Sequence, residues 1–182
     1  MYLVPIIIWV ILSLILIVAI GSMVNIYNSL INLKNNVDKS WKNIDVLLKQ
    51  RHDELPKIVS VVEAYMKYEK SLLTEITIAR SDAIKSRSFI QRQDAENRIS
   101  KLLNSLCVVS ENYPKLKSDK HFLQLQSRIS SLENQIADRR ELFNESVNNY
   151  NIRIETFPEI VLAKIFRYKK KKLLNVPESE KQ

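Results

Sequence analysis

A chain of 182 residues with a net charge of +8 has room for a membrane anchor and one helical domain able to bury its own core. One Gly and five Pro leave little material for hairpin turns or Gly-rich phosphate loops, which argues against a β-sandwich or a phosphate-loop enzyme and for an all-α fold. The single cysteine, Cys107, lies among Leu102, Leu103, Leu106, Val108 and Val109, reads as a small buried hydrophobe, and excludes an intrachain disulfide.

From Tyr2 to Val24 no residue is charged, and the run of Ile, Leu and Val with Trp9 meets the requirement of roughly 20 residues for a spanning helix. A cleaved signal peptide would call for a basic start, a shorter apolar core and a small-residue cleavage site, and Ala19 to Met23 is a poor match for one. Lys34, Lys39, Lys42, Lys49 and Arg51 follow the span, whereas the α-amine is the only positive charge ahead of it. The basic flank predicts a single-pass protein of the cell membrane, its N-terminus outside and its body in the cytoplasm.

Beyond the span, Tyr27, Leu30, Leu33, Val37, Trp41, Ile44 and Leu48 recur every three or four residues, the stripe of a helix packed in a bundle. No breaker separates this stripe from the anchor, so the first helix is expected to run unbroken out of the bilayer. Asp53-Glu54-Leu55-Pro56 reads as a stop and restart, with Pro in the first turn of a second helix. That helix would carry Ile58, Val62, Tyr65, Glu69, Leu72, Ile76, Ala79 and Ala83 on one face. A third stripe runs through Ala95, Ile99, Leu102, Leu106, Val109 and Tyr113 and stops at Pro114. Ser118 or Asp119 can cap the fourth helix, striped by Phe122, Leu125, Ile129, Leu132, Ile136, Arg139, Phe143, Val147, Tyr150 and Ile154. Short connections predict an antiparallel up-and-down bundle of long helices. The expected organisation is an anchor over 1–24, the bundle over 25–156, an amphipathic basic segment over 157–174 and a flexible tail over 175–182.

Two charges interrupt these stripes, Glu69 and Arg139, and a buried charge needs a partner. Counting the helical rise from the turns sets Glu69 level with Lys39 and Arg98, and Arg139 level with Glu75, which predicts structural ion pairs. Di-iron bundles use Glu-x-x-His pairs, and no Glu here has His three residues on. His52 and His121 fall at helix ends, and neither a nucleophile elbow nor a Walker loop is present, so no metal, cofactor or catalytic residue is expected.

Between Phe157 and Leu174, the apolar residues Phe157, Ile160, Val161, Ile165 and Phe166 alternate with bases that end in Lys169, Lys170, Lys171 and Lys172. The segment reads as an amphipathic basic helix opened by Pro158, either laid on membrane lipids or folded back onto the bundle. Nucleic acid is not the expected partner, because the apolar share is high and the basic cluster terminal.

Specific phrases accompany this pattern: Tyr27-Asn28-Ser29-Leu30; Val37 with Trp41 and Ile44-Asp45-Val46; Arg51-His52-Asp53 leading to Leu55-Pro56; Glu111-Asn112-Tyr113-Pro114; Glu133-Asn134 with Arg139-Arg140; Phe143-Asn144; and Phe157-Pro158 with Ala163 and Phe166. Taken in this order they resemble the LemA family of bacterial membrane proteins, from about Tyr27 to Tyr168. The chain has His52, Ala64 and Arg167-Tyr168 where that family usually carries Tyr, Gly and Gly-Phe. The resemblance implies a membrane-anchored helical bundle with no established enzymatic activity, and a relative associated with magnetosome membranes makes membrane organisation conceivable. The expected function is therefore an interaction or scaffold protein that recruits an unidentified protein partner or forms a homo-oligomer. The alternative is a ligand-binding accessory or sensor subunit.

Overall fold

The computed structural model describes residues 3–174, so the tail expected over 175–182 lies outside the described residues. Among the described residues six helices follow one another: α1 (Leu3–Glu63), α2 (Lys70–Lys85), α3 (Phe89–Ser110), the single turn α4 (Pro114–Lys117), α5 (Lys120–Arg153) and α6 (Glu159–Ile165). Among the described residues no strand is formed, and the fold is all-α.

The chain divides into two compact bodies. One comprises the chain up to Ser40 with Phe143–Leu173, and the other comprises Trp41–Leu142 with Leu174 at the end of the described residues. In the first, α1 begins as a helix that is apolar on every side, and Leu3, Trp9, Leu14, Ile17 and Val24 are all exposed. A helix hydrophobic all round needs either a protein core or lipid around it, and this one, long and apolar enough to cross a membrane, has no protein cover over its apolar window. Further along α1, Leu30 and Val37 turn inward, as do Phe143, Val147, Tyr150 and Ile154.

In the second body, Ile44, Leu48, Leu55, Ile58 and Val62 of α1 are buried, as are Leu73 and Ile76 of α2, Ile99 and Leu106 of α3, and Phe122 and Ile129 of α5. The spacing of three or four is the one expected of bundle helices. Asp119 caps α5: its Oδ1 accepts the Phe122 amide at 2.9 Å and its Oδ2 the Tyr65 hydroxyl at 2.9 Å. Those bonds, the amide first and the hydroxyl second, hold the Asp119 carboxyl below its ordinary range.

The expected restart at Pro56 does not occur, because α1 continues through Pro56 to Glu63. Proline removes the amide that would bond the carbonyl four residues back, that of His52. Arg80 of α2 supplies the missing donor, its Nε lying 2.7 Å from the His52 carbonyl oxygen. The chain breaks later instead, over residues 64–69, which displaces Glu69 from the expected stripe to the N-cap of α2. Arg80→Ala is therefore expected to cost about 1–3 kcal/mol by orphaning a carbonyl. Adding Pro56→Ala restores an amide there and should recover much of that loss, as read by denaturation of the detergent-solubilised protein. Equal stability of the single and double variants would contradict this hydrogen-bond exchange.

The segment expected to be one basic helix is two pieces. α6 stops at Ile165, and Arg167 turns the chain at φ 55°, the left-handed region that favours glycine. The Arg167 amide bonds the Lys164 carbonyl at 3.2 Å and the Tyr168 amide the Ala163 carbonyl at 2.9 Å, the paired bonds of a Schellman cap. Past the cap, Tyr150 donates to the Lys169 carbonyl at 3.1 Å, and the Asn151 amide side chain bonds both the carbonyl and the amide of Lys171 at 2.9 Å. Backbone groups spoken for by α5 side chains cannot continue a helix.

Candidate functional site

An assembly of buried polar side chains lies within the Trp41–Leu142 body and was not expected from the stripes. Arg51 of α1 is 0% exposed, and Glu96 of α3 is 2% exposed. Along α3, Arg92, Glu96 and Ser100 are four apart and share one face. Glu133 arrives from α5, with its side chain 23% exposed.

The guanidinium of Arg51 is shared between the other two helices. Its Nη1 donates to Ser100 Oγ at 2.8 Å and to Glu133 Oε1. Its Nη2 donates to Glu96 Oε2 at 2.5 Å and to the Glu96 carbonyl at 3.3 Å. Ser100 in turn donates to Glu133 Oε2 at 2.7 Å, so the hydroxyl relays between the arginine and the carboxylate. His52 Nε2 lies 3.1 Å from Glu96 Oε1 and 3.2 Å from Oε2. Arg92 stands 3.9 Å from Glu96, pairs with Asp45 and lies over the Trp41 ring at 5.6 Å. Arg51 Nε is buried without an acceptor, so the guanidinium is satisfied at its Nη ends.

Burial alone would raise the proton affinity of the Glu96 carboxyl, but the hydrogen bond from His52 and the charge of Arg51 overcome it and hold the group below its ordinary range. Burial alone would likewise lower Arg51, and the fields of Glu133 and Glu96 reverse that effect. A carboxylate so stabilised is a poor proton carrier near neutrality. The arrangement instead ties α1, α3 and α5 at one level, since sliding any of them by a turn would strand a buried charge.

The ion pairs expected from the stripes are placed differently. Arg98 pairs with Glu75 at 3.4 Å, both half exposed, while Glu69 is half-buried at the α2 N-cap and Lys39 is exposed. Arg139 is exposed, and its neighbour Arg140 is the buried one, because the inward face of α5 passes through Leu132, Ile136 and Arg140. Arg51 carried the same signal that singled out Glu69 and Arg139, a charge between Leu48 and Leu55 on a buried stripe. The expected helix end at Asp53 to Pro56 hid it. Of the residues proposed to touch lipid, Phe157, Val161, Ile165, Phe166, Lys169, Lys170 and Lys172 are exposed, and Ile160 and Lys171 are half-buried. Lys171 pairs with Asp38 at 2.5 Å, and Lys170 pairs with Glu155 at 2.7 Å.

Comparison with known proteins adds the family context. A profile of the LemA family matches residues 40–182. The chain is 21% identical over 170 residues to Magnetosome protein MamQ of Magnetospirillum gryphiswaldense, covering 79% of this chain and 62% of that protein. It is 21% identical over 177 residues to Magnetosome protein MamQ 2 of Paramagnetospirillum magneticum, covering 83% and 65%. Protein LemA of Metamycoplasma hominis is 27% identical over 135 residues, covering 71% and 60%. The chain thus spans a little under two thirds of the length of these relatives.

Proposed function

Because the chain belongs to the LemA family, we propose that it is a non-enzymatic interaction protein, a helical platform held at the cytoplasmic face of the cell membrane by α1, which recruits a protein partner or further copies of itself. The observation that carries this reading is the buried arginine cluster that joins three helices. The Nη donors of Arg51 are spent on Ser100, Glu133 and Glu96. Its guanidinium ties α1, α3 and α5 together where Arg51 and Glu96 are buried, which suits a rigid presenting surface better than a reaction centre. The names of the MamQ relatives support a role at a membrane, and organisation of that membrane is one form the platform function can take.

Protease added to intact spheroplasts is expected to leave the polar body undigested and to cleave it after lysis. Digestion before lysis would reverse the orientation. Proximity labelling from a tag at the C-terminus would then identify proteins enriched over a tagged span alone, and the platform reading expects at least one.

A second reading, a ligand-binding accessory or sensor subunit, draws on a cavity of about 160 Å³ whose lining includes Ile58, Leu103, Cys107, Phe122, Ile129 and Glu133. A small molecule co-purifying in stoichiometric amount would favour it over the platform.

A further inference from the structure

We propose that the outward face of α6 and the basic chain after it form a second membrane contact, seated among anionic lipid headgroups on the side where α1 leaves the bilayer. The proposal rests on α1 crossing the membrane and holds for either orientation.

Geometry within the first body places this face at the bilayer surface. The Tyr27 ring packs on Phe166 with centroids 5.0 Å apart. Tyr27 lies three residues past Val24, the last residue of the apolar run, which is about 4.5 Å along the helix axis. Tyrosine at that depth is characteristic of the membrane interface. Phe166 is the C-cap of α6, so the short helix is pinned beside the exit of the span.

The helix is also apolar on its outer side. Glu159, Leu162 and Ala163 face inward, and Glu159 Oε1 is held by Arg153 Nε at 2.8 Å. Outward stand Val161, Ile165 at 64% exposure and, just ahead of the helix, Phe157 at 78%. Burying the carboxylate and exposing the large apolar residues is the reverse of a helix meant for water. Lipid is the occupant that the position supplies, because Phe166 packs on Tyr27, three residues past the apolar run.

Charge selects the lipid. Lys170 and Lys171 are taken by Glu155 and Asp38. Lys164, Arg167, Lys169 and Lys172 are exposed on the same stretch, and the Asn151 clamp on the Lys171 backbone holds that stretch in place. Each basic side chain close to an anionic surface contributes about fivefold in partitioning.

The test uses full-length protein with Cys107→Ser, reconstituted in vesicles of neutral phosphatidylcholine or of a mixture with phosphatidylglycerol, and spin-labelled one site at a time. Cysteines replace Val161, Ile165, Ile15 within the span, and exposed Glu141. In anionic vesicles the labels at 161 and 165 are expected to collide with oxygen in preference to a water-soluble nickel chelate, as at 15 and unlike 141. Gln at Lys164, Arg167, Lys169 and Lys172 together should abolish the difference between anionic and neutral vesicles. Nickel access at 161 and 165 matching that at 141, with position 15 still in lipid, would overturn the contact and leave the anchor standing. Shielding of 161 and 165 from both reagents would overturn it in favour of a protein cover, such as a second copy. An aqueous label at 15 would overturn the anchor itself, and equal depth in both vesicle types would overturn the choice of anionic lipid.

Discussion

Replacing Arg51 with Met is expected to destabilise the Trp41–Leu142 body by about 3–5 kcal/mol, because it removes the guanidinium that the buried Glu96 and the partly buried Glu133 share. The expected rescue separates charge from shape. Adding Glu96→Gln and Glu133→Gln to Arg51→Met removes the stranded charges and should recover a large part of the loss in a denaturation experiment. The pH dependence has a definite sign. The folded Glu96 carboxyl is held below its unfolded value, so its contribution is present above the ordinary glutamate value of about 4.3 and fades as the pH falls through the lower folded value. Glu96→Gln should flatten that acid limb while lowering stability at neutral pH. If Arg51→Met is as stable as the parent, the cluster does not hold the bundle in register, and the platform reading loses the observation that carries it.

What the sequence disclosed of this arrangement depended on how local the determining physics was. Leu30, Val37, Ile44 and Leu48 are buried as their spacing predicts, and Asp119 caps α5 as its side chain allows, since both facts concern neighbours within a turn or two. Pro56 misled because its missing amide is compensated from α2, and no local pattern shows that Arg80 will reach the His52 carbonyl. A helix starting at Pro56 would keep Glu69 on a buried stripe and put Arg51 at a helix end, whereas the continuous α1 buries Arg51 mid-helix. The C-terminal segment has a helical pattern throughout, yet Arg167 takes a conformation that its residue type disfavours, and Tyr150 and Asn151 hold the backbone at Lys169 and Lys171 out of a helix. In each case a partner distant in sequence outvoted a local preference. The anchor was legible for the opposite reason, since Leu3 to Val24 need no partner within the chain.

That independence makes the anchor the place where substitution should act most strongly on location. Each aliphatic residue of a span favours insertion by about 0.3–0.6 kcal/mol, whereas each Arg at its centre opposes it by about 2.5–3.5 kcal/mol. Arg in place of Leu12, Leu14 and Ile17 therefore shifts the balance by about 8–12 kcal/mol, enough to cancel most or all of the insertion free energy. The triple variant is expected to leave the alkaline-carbonate-resistant membrane fraction. Should the α6 face touch lipid, some protein will still sediment with membranes at low salt and come off as salt rises, because one short amphipathic element with a few exposed bases binds reversibly. A spanning helix and a surface contact are thus told apart by what releases them, and carbonate-resistant retention of the triple variant would mean that Leu3 to Val24 is not what holds the protein in the membrane.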